Sequence, residues 1–288
     1  MDASFWLLQF LNAMQYSMLL FLLSIGLTVI FGLMHFVNLA HASLYMLGAY
    51  FGISVSALTG QFWLAFILSP IIVTLIGAIL YYTLIDRMRA AGPMNQVLVT
   101  FGLIFVILDL VRLGWGDIAL GLDAPDALAH TVSFWGISYP AYRLFIIALG
   151  LTIMINMWVV LARTQIGAMI RASVENADMA ASLGIHVGRL FFVVFCFGCA
   201  LAGLAGVAAT PIFSATTTMG ITILIPTLIV VVIGGLGSLE GAIAGSLIIG
   251  FLETFGAVLL PSLSAVLTYI LLAVILVLRP QGLIPARG

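Results

Sequence analysis

From residue 3 to residue 85 the chain carries no Asp, Glu, Lys or Arg. No water-soluble domain leaves so long a stretch uncharged. A bilayer span needs about 20 apolar residues, so this run alone holds about three spans. The rest of the chain agrees: 64% of its residues are hydrophobic and 7% are charged. The expected fold class is an all-α polytopic membrane protein of about eight or nine transmembrane helices, forming a single transmembrane domain over 1–288. The stretch from Phe5 onward follows Met1-Asp2-Ala3-Ser4 with no basic region before it, so it reads as a retained span and not as a cleaved signal.

Spans are expected at Phe5–Phe31, Phe62–Ile85, Gln96–Leu113, Arg143–Leu161, Leu190–Ala209, Ile221–Ile233, Ala242–Leu260 and Leu263–Leu278. The region Gly26–Tyr50 is different. His35, Asn38 and His41 lie within it, and polar groups at membrane depth are costly unless they face protein or water. A broken helix near the N-terminus accounts for them. If His35–Tyr50 completes a span the count is nine; if it re-enters, eight. A loop is expected over Gly114–Tyr139, and Asp109 and Arg112, three residues apart, read as a local ion pair. Arg87, Arg89, Arg163, Arg171, Arg189, Arg279 and Arg287 fall on one side of these spans and only Arg112 and Arg143 on the other. The positive-inside rule then puts the C-terminus in the cytoplasm.

Charge concentrates in one interior segment, 163–187. Ile170, Val174, Ala177 and Ala181 make an apolar, small-residue stripe, and Arg171, Glu175, Asp178 and Ser182 repeat the spacing on another face. Gly184 supplies a helix stop. The expectation is one short amphipathic helix outside the bilayer. An interfacial helix lying on membrane lipid is one reading, but such helices present bulkier apolar residues than these alanines. Small residues suit close approach by another protein, so a docking helix is the sharper reading.

The segment R-T-x-x-G-x-x-x-R-A-x-x-x-N-x-x-x-A-x-x-x-G-I, carried by Arg163, Thr164, Gly167, Arg171, Ala172, Asn176, Ala180, Gly184 and Ile185, resembles the cytoplasmic loop of branched-chain amino acid ABC transporter permeases. Three more stretches are similar to the same family, the LivH-type subunits. They are N-L-A-H-x-x-x-Y-M-L-G-A-Y from Asn38 to Tyr50, G-G-x-G-S-x-x-G at Gly234, Gly235, Gly237, Ser238 and Gly241, and the R-P-Q-G ending at Gly282. Two positions depart from the pattern: Ser43 stands where the family commonly has an acid, and Glu240 is unexpected.

The resemblance implies an importer subunit of the bacterial inner membrane. It implies ABC ATPase subunits as partners, a second permease subunit in a heterodimer, and a periplasmic substrate-binding protein. Coupling to the ATPase would fall to Arg163, Gly167, Arg171, Glu175, Asn176, Ala180 and Gly184. The implied cargo is branched-chain or related hydrophobic amino acids, with urea or short amides as the alternative within the family. A self-contained carrier or channel is the alternative outside it, but nothing else in the sequence looks like a proton or sodium relay.

Polar residues and helix-breaking glycines among apolar spans mark the expected translocation path: Asn38, His41, Ser43, Thr100, Gly234, Gly235, Gly237 and Ser238. His41 reads equally well as a core histidine bonded to a neighbouring helix. No catalysis is expected. There is no G-x-x-x-x-G-K-[ST] to cradle ATP, and no His follows Ser238 to activate it. Cys196 and Cys199 lie in an apolar helix with no second pair, so neither metal, cofactor nor disulfide is expected. A net charge of −1 argues against nucleic acid as a partner.

Overall fold

A computed structural model describes residues 3–89, 91–134 and 137–284. Arg287, counted above among the basic residues of one side, lies outside the described residues. Among the described residues the named elements are helices apart from one small hairpin. In order it forms α1 (Ala3–Met34), α2 (His41–Thr59), α3 (Phe62–Leu80, prolonged by a π turn at Tyr81–Ile85 and a last turn at Asp86–Met88) and α4 (Pro93–Trp115). The hairpin β1 (Thr131–Phe134) and β2 (Ile137–Pro140) leads into α5 (Ala141–Arg163), α6 (Gln165–Glu175) and α7 (Ala177–Ser182). Then come α8 (Val187–Ala209), α9 (Met219–Gly234), α10 (Leu239–Leu259) and α11 (Ser264–Leu278). Among the described residues seven helices are long and apolar enough to cross a membrane, and two shorter apolar helices, α9 and α11, bring the number to nine.

α1 is the axis of the molecule. It is buried along most of its length, packed by α10, α8, α5 and α9. α2, α3 and α8 form a second packed group in which glycines set the distance. A Cβ on Gly48 would stand 2.6 Å from the Cα of Gly203, and one on Gly203 would stand 3.1 Å from the Cα of Pro70. Small residues let membrane helices approach this closely where no hydrophobic effect drives them together. Ser69 seals the contact by donating to the Gly48 carbonyl at 2.6 Å.

The chain does break after α1. His35 takes a left-handed conformation with φ of 49°, residues 35–40 are not helical, and α2 starts again at His41. α2 is long and apolar enough to cross a membrane, and it runs back from the end of α1 to the start of α3. Met34 and His35 share a cavity with Asp86 and Arg89 at the far end of α3, while Gly60 and Gln61 alone join the other end of α2 to the start of α3. This is the arrangement that the nine-helix alternative requires. Gly237 packs on Gly32, and Gly235 on the carbonyls of Gln281 and Ile284. The last residues described are thus on the same side as Met34, opposite the start of α1.

The expected loop at 114–139 holds more structure than its turn residues suggested. β1 and β2 pair antiparallel from Thr131↔Pro140 to Phe134↔Ile137, and Leu120 bridges to Ala215. Arg112 meets Asp109 at 3.7 Å, the local pair read from the sequence, and also Asp117 at 3.9 Å. Asn12 in α1 ties this side down. Its side-chain oxygen accepts from the Tyr139 hydroxyl at 3.2 Å and from Arg143 at 2.8 Å. Burial pushes the Tyr139 hydroxyl above its ordinary pKa, with Arg143 pulling the other way.

Candidate functional site

Segment 163–187 is two helices and not one, which corrects the single helix expected from its periodicity. Asn176 is extended, with φ of −156° and ψ of 102°, and it ends α6 and starts α7. Its side-chain oxygen accepts the Met179 N–H at 2.9 Å, a capping bond that makes the break favourable. The family-like positions of this segment build its shape. Thr164 caps α6 by accepting the Gly167 N–H at 3.3 Å. Gly167 lies so close to the Leu161 and Val160 carbonyls that a side chain would collide with them. Arg171 donates back to the Leu161 carbonyl, holding α6 against the end of α5. At the other end Gly184 has φ of 88°, its N–H bonds the Ala181 carbonyl at 3.0 Å, and the Ile185 N–H bonds the Ala180 carbonyl at 3.1 Å. This is the Schellman pattern that a glycine permits. Ala180 is buried, and Arg163 lies over the Trp158 ring at 5.8 Å.

The apolar stripe divides at the same joint. Ile170 and Val174 pack inward on the core, whereas Ala177 and Ala181 are exposed. The exposed face of the pair is made by Ile166, Arg171, Glu175, Asp178, Met179 and Leu183. Beneath it, Ser173, Val174 and Ala177 share a cavity of about 570 Å³ with Leu33, Met34, His35, Asp86 and Arg89. Asp86 and Arg89 are paired there at 3.1 Å, and the Arg89 guanidinium lies 4.2 Å from the centre of the Phe191 ring. One side of the segment thus faces solvent and the other rests where α1 ends and the break begins.

The expected path residues separate into two places. Asn38, His41, Ser43 and Thr100 are all closed off from solvent, none more than 2% exposed. Thr100 meets the break directly: its hydroxyl accepts the Leu39 N–H at 3.3 Å and lies 3.4 Å from the Val37 carbonyl. The Asn38 side-chain oxygen and both His41 ring nitrogens have no hydrogen-bond partner in the protein. His41 is wedged between α1 and α8, with the Cβ position of Gly26 only 3.0 Å from its Nε2 and from the Gly198 carbonyl. Gly234, Gly235, Gly237 and Ser238 form the turn from α9 to α10 beside Gly32, where Ser238 caps α10 by accepting the Gly241 N–H at 3.0 Å.

One place was not singled out by the sequence. A cavity of about 350 Å³ opens beneath residues 213–216 and is walled by Tyr16, Tyr45, Met219, Thr222, Pro226 and Glu253. They come from α1, α2, α9 and α10, so no local pattern announces their meeting. The only signal was Glu253 itself, an acid inside an apolar span. Cys196 and Cys199 are free thiols, and no cluster of His, Cys, Asp or Glu suited to a metal occurs among the described residues.

Comparison with known proteins agrees with this architecture. The chain is 24% identical over 295 residues to the high-affinity branched-chain amino acid transport system permease protein BraD of Pseudomonas aeruginosa, covering 97% of this chain and 95% of that one. It is likewise 24% identical to the LivH permease protein of Escherichia coli K12, over 97% of this chain and 96% of the relative. A probable branched-chain amino acid transport permease protein LivH of Methanocaldococcus jannaschii matches at 24% over 84% of this chain and 78% of its own. No solved structure matches. A family model described as branched-chain amino acid transport system / permease component matches residues 9–278. With the break after α1 and the jointed loop both inside that match, the chain belongs to the branched-chain amino acid transport permease family.

Proposed function

We propose that this chain is one membrane subunit of an ATP-driven importer of branched-chain or related hydrophobic amino acids. A separate ATPase subunit would dock on segment 163–187. The observation that carries the reading is the two-sidedness of that segment. Met179 on α7 and Leu183 just after it are apolar and exposed, while Ser173, Val174 and Ala177 line the cavity where α1 breaks at His35. Force applied to the exposed face is therefore delivered to the start of the broken segment. The residues that match the family, Thr164, Gly167, Asn176, Ala180 and Gly184, hold the shape of the joint. Contact falls to Glu175, Asp178, Met179 and Leu183.

In this reading the arginine-rich side, with segment 163–187 and Arg279, is cytoplasmic. Asn38, His41, Ser43 and Thr100 close the path in this conformation, and the Gly234–Ser238 turn flanks its inner end. A second, related permease subunit and a substrate-binding protein on the outer side complete the importer. Branched-chain cargo is favoured over urea or short amides because the relatives that cover nearly the whole chain carry that name. The test is uptake of labelled leucine into proteoliposomes bearing the chain with its ATPase and second permease. Uptake should require ATP and the binding protein, and Glu175→Arg or the pair Met179→Asp and Leu183→Asp should leave insertion intact while separating ATP hydrolysis from transport. Leucine uptake that proceeds without nucleotide would make the chain a self-contained carrier instead.

A further inference from the structure

Glu253 lies 14 residues beyond the start of α10, within a membrane helix, and takes part in none of the ion pairs among the described residues. It is not sealed in the packing. Together with Pro226 it forms a wall common to two cavities, the one of about 350 Å³ under residues 213–216 and another of about 310 Å³ between α9, α10 and α11. An ionisable residue at membrane depth that faces a cavity is costly unless something charged or water-borne visits it. Tyr16 shares the first of these cavities with it and Thr268 the second. Pro226 adds a further acceptor. Having no N–H, it leaves the Thr222 carbonyl without its helical partner, and Thr222 is itself on the cavity wall. Leu19, Met219 and Ile223 supply an apolar wall to the same space.

Resting on the importer reading above, we infer that this cavity is a substrate site in which Glu253 receives the ammonium group of an amino acid. An ammonium offers three donors and no acceptor. The Glu253 carboxylate, the Thr222 carbonyl and the Tyr16 hydroxyl are acceptors of the required kind, and the apolar wall takes a branched side chain. The volume is at the small end of the roughly 300–1,000 Å³ usual for small-molecule pockets, which suits a single amino acid and not a peptide. The site selects for positive charge at one end of the cargo, so it discriminates against carboxylic acids that lack the amine and against anions in general.

The test uses the full chain in membrane vesicles, with Cys196→Ala and Cys199→Ala removing the native thiols and Thr222→Cys as reporter. It is labelled with a trimethylammonium-bearing and a sulfonate-bearing methanethiosulfonate. The ratio of cationic to anionic labelling rates should fall about tenfold on Glu253→Gln and be retained in Glu253→Asp, as for a cleft lined by one sign of charge. Isopentylamine and L-leucine should slow labelling, 4-methylpentanoate should not, and Glu253→Gln should remove the protection. Equal rates for the two reagents, equal protection by isopentylamine and 4-methylpentanoate, or a cysteine reached by neither reagent would overturn the proposal. If Glu253→Gln does not insert, the ligand series on the Glu253 chain and the Asp variant still decide it. Labelling needs neither ATPase nor binding protein, so its failure leaves the importer reading standing. Nucleotide-independent uptake with the charge preference intact sinks the importer reading alone.

Discussion

The chain is interrupted twice within stretches that resemble its family, and the two interruptions are built on opposite principles. At Asn176 the break is exposed and capped: the side chain caps the next helix, and Gly184 closes its far end. At residues 35–40 the break is inside the protein, where Asn38 and His41 are buried with side-chain atoms that have no partner. A satisfied joint is a hinge of fixed geometry. A buried break with unpaired polar groups is one whose conformation is expensive to hold, since each such group has lost water and gained nothing. The first suits passing on a movement and the second suits responding to one.

The largest effect should come from the packing that encloses the buried break. Gly48→Leu drives a side chain into the backbone of Gly203 and should cost about 3 kcal/mol, the upper end of overpacking. Gly102, with open space around its Cβ position, should tolerate Ala with less than about 0.5 kcal/mol. Thermal unfolding of the purified protein followed by size exclusion separates the two, and equal midpoints would remove the distinction between packed and open glycines.

Next, Asn38→Leu deletes an unpaired buried acceptor. It should raise stability by about 1–2 kcal/mol while lowering transport. A fall in stability would show that Asn38 is satisfied, and the contrast with Asn176 would collapse. The smallest effect is expected at the exposed joint. Asn176→Ala loses the cap and should cost about 1 kcal/mol locally. It should be seen as faster hydrogen exchange at Met179 and quicker proteolysis of α7, with an unchanged global midpoint. Asn176→Asp, which keeps an accepting oxygen, should restore both.

The membrane helices were legible because an uncharged run of the right length has little else to become. The break after α1 was legible for the same reason in reverse: His35, Asn38 and His41 are out of place in such a run. The joint at Asn176 was not. Nothing in the residue pattern marks Asn176 as extended, so Ile170, Val174, Ala177 and Ala181 read as one face although Ile170 and Val174 pack on the core and Ala181 is exposed. The hairpin β1–β2 was hidden by its brevity, four residues a side. The cavity at Glu253 escaped because its walls come from four helices, and periodicity says which face a residue occupies but not which face it will meet. Thr100 was picked out as a polar residue in span four, yet its contact with residues 37 and 39 needed the fold.

The short connection between α2 and α3 bears on how the protein is made. α2 is the least apolar of the seven long spans and α3 among the most apolar, and only Gly60 and Gln61 separate them. Left to partition by itself as it leaves the ribosome, α2 gains less from entering lipid than any other long span. Two residues are too few to let α3 settle in the bilayer while α2 waits outside. The pair therefore enters as a hairpin, with the hydrophobicity of α3 carrying its polar neighbour in, and the order of synthesis places α1 there beforehand to receive it.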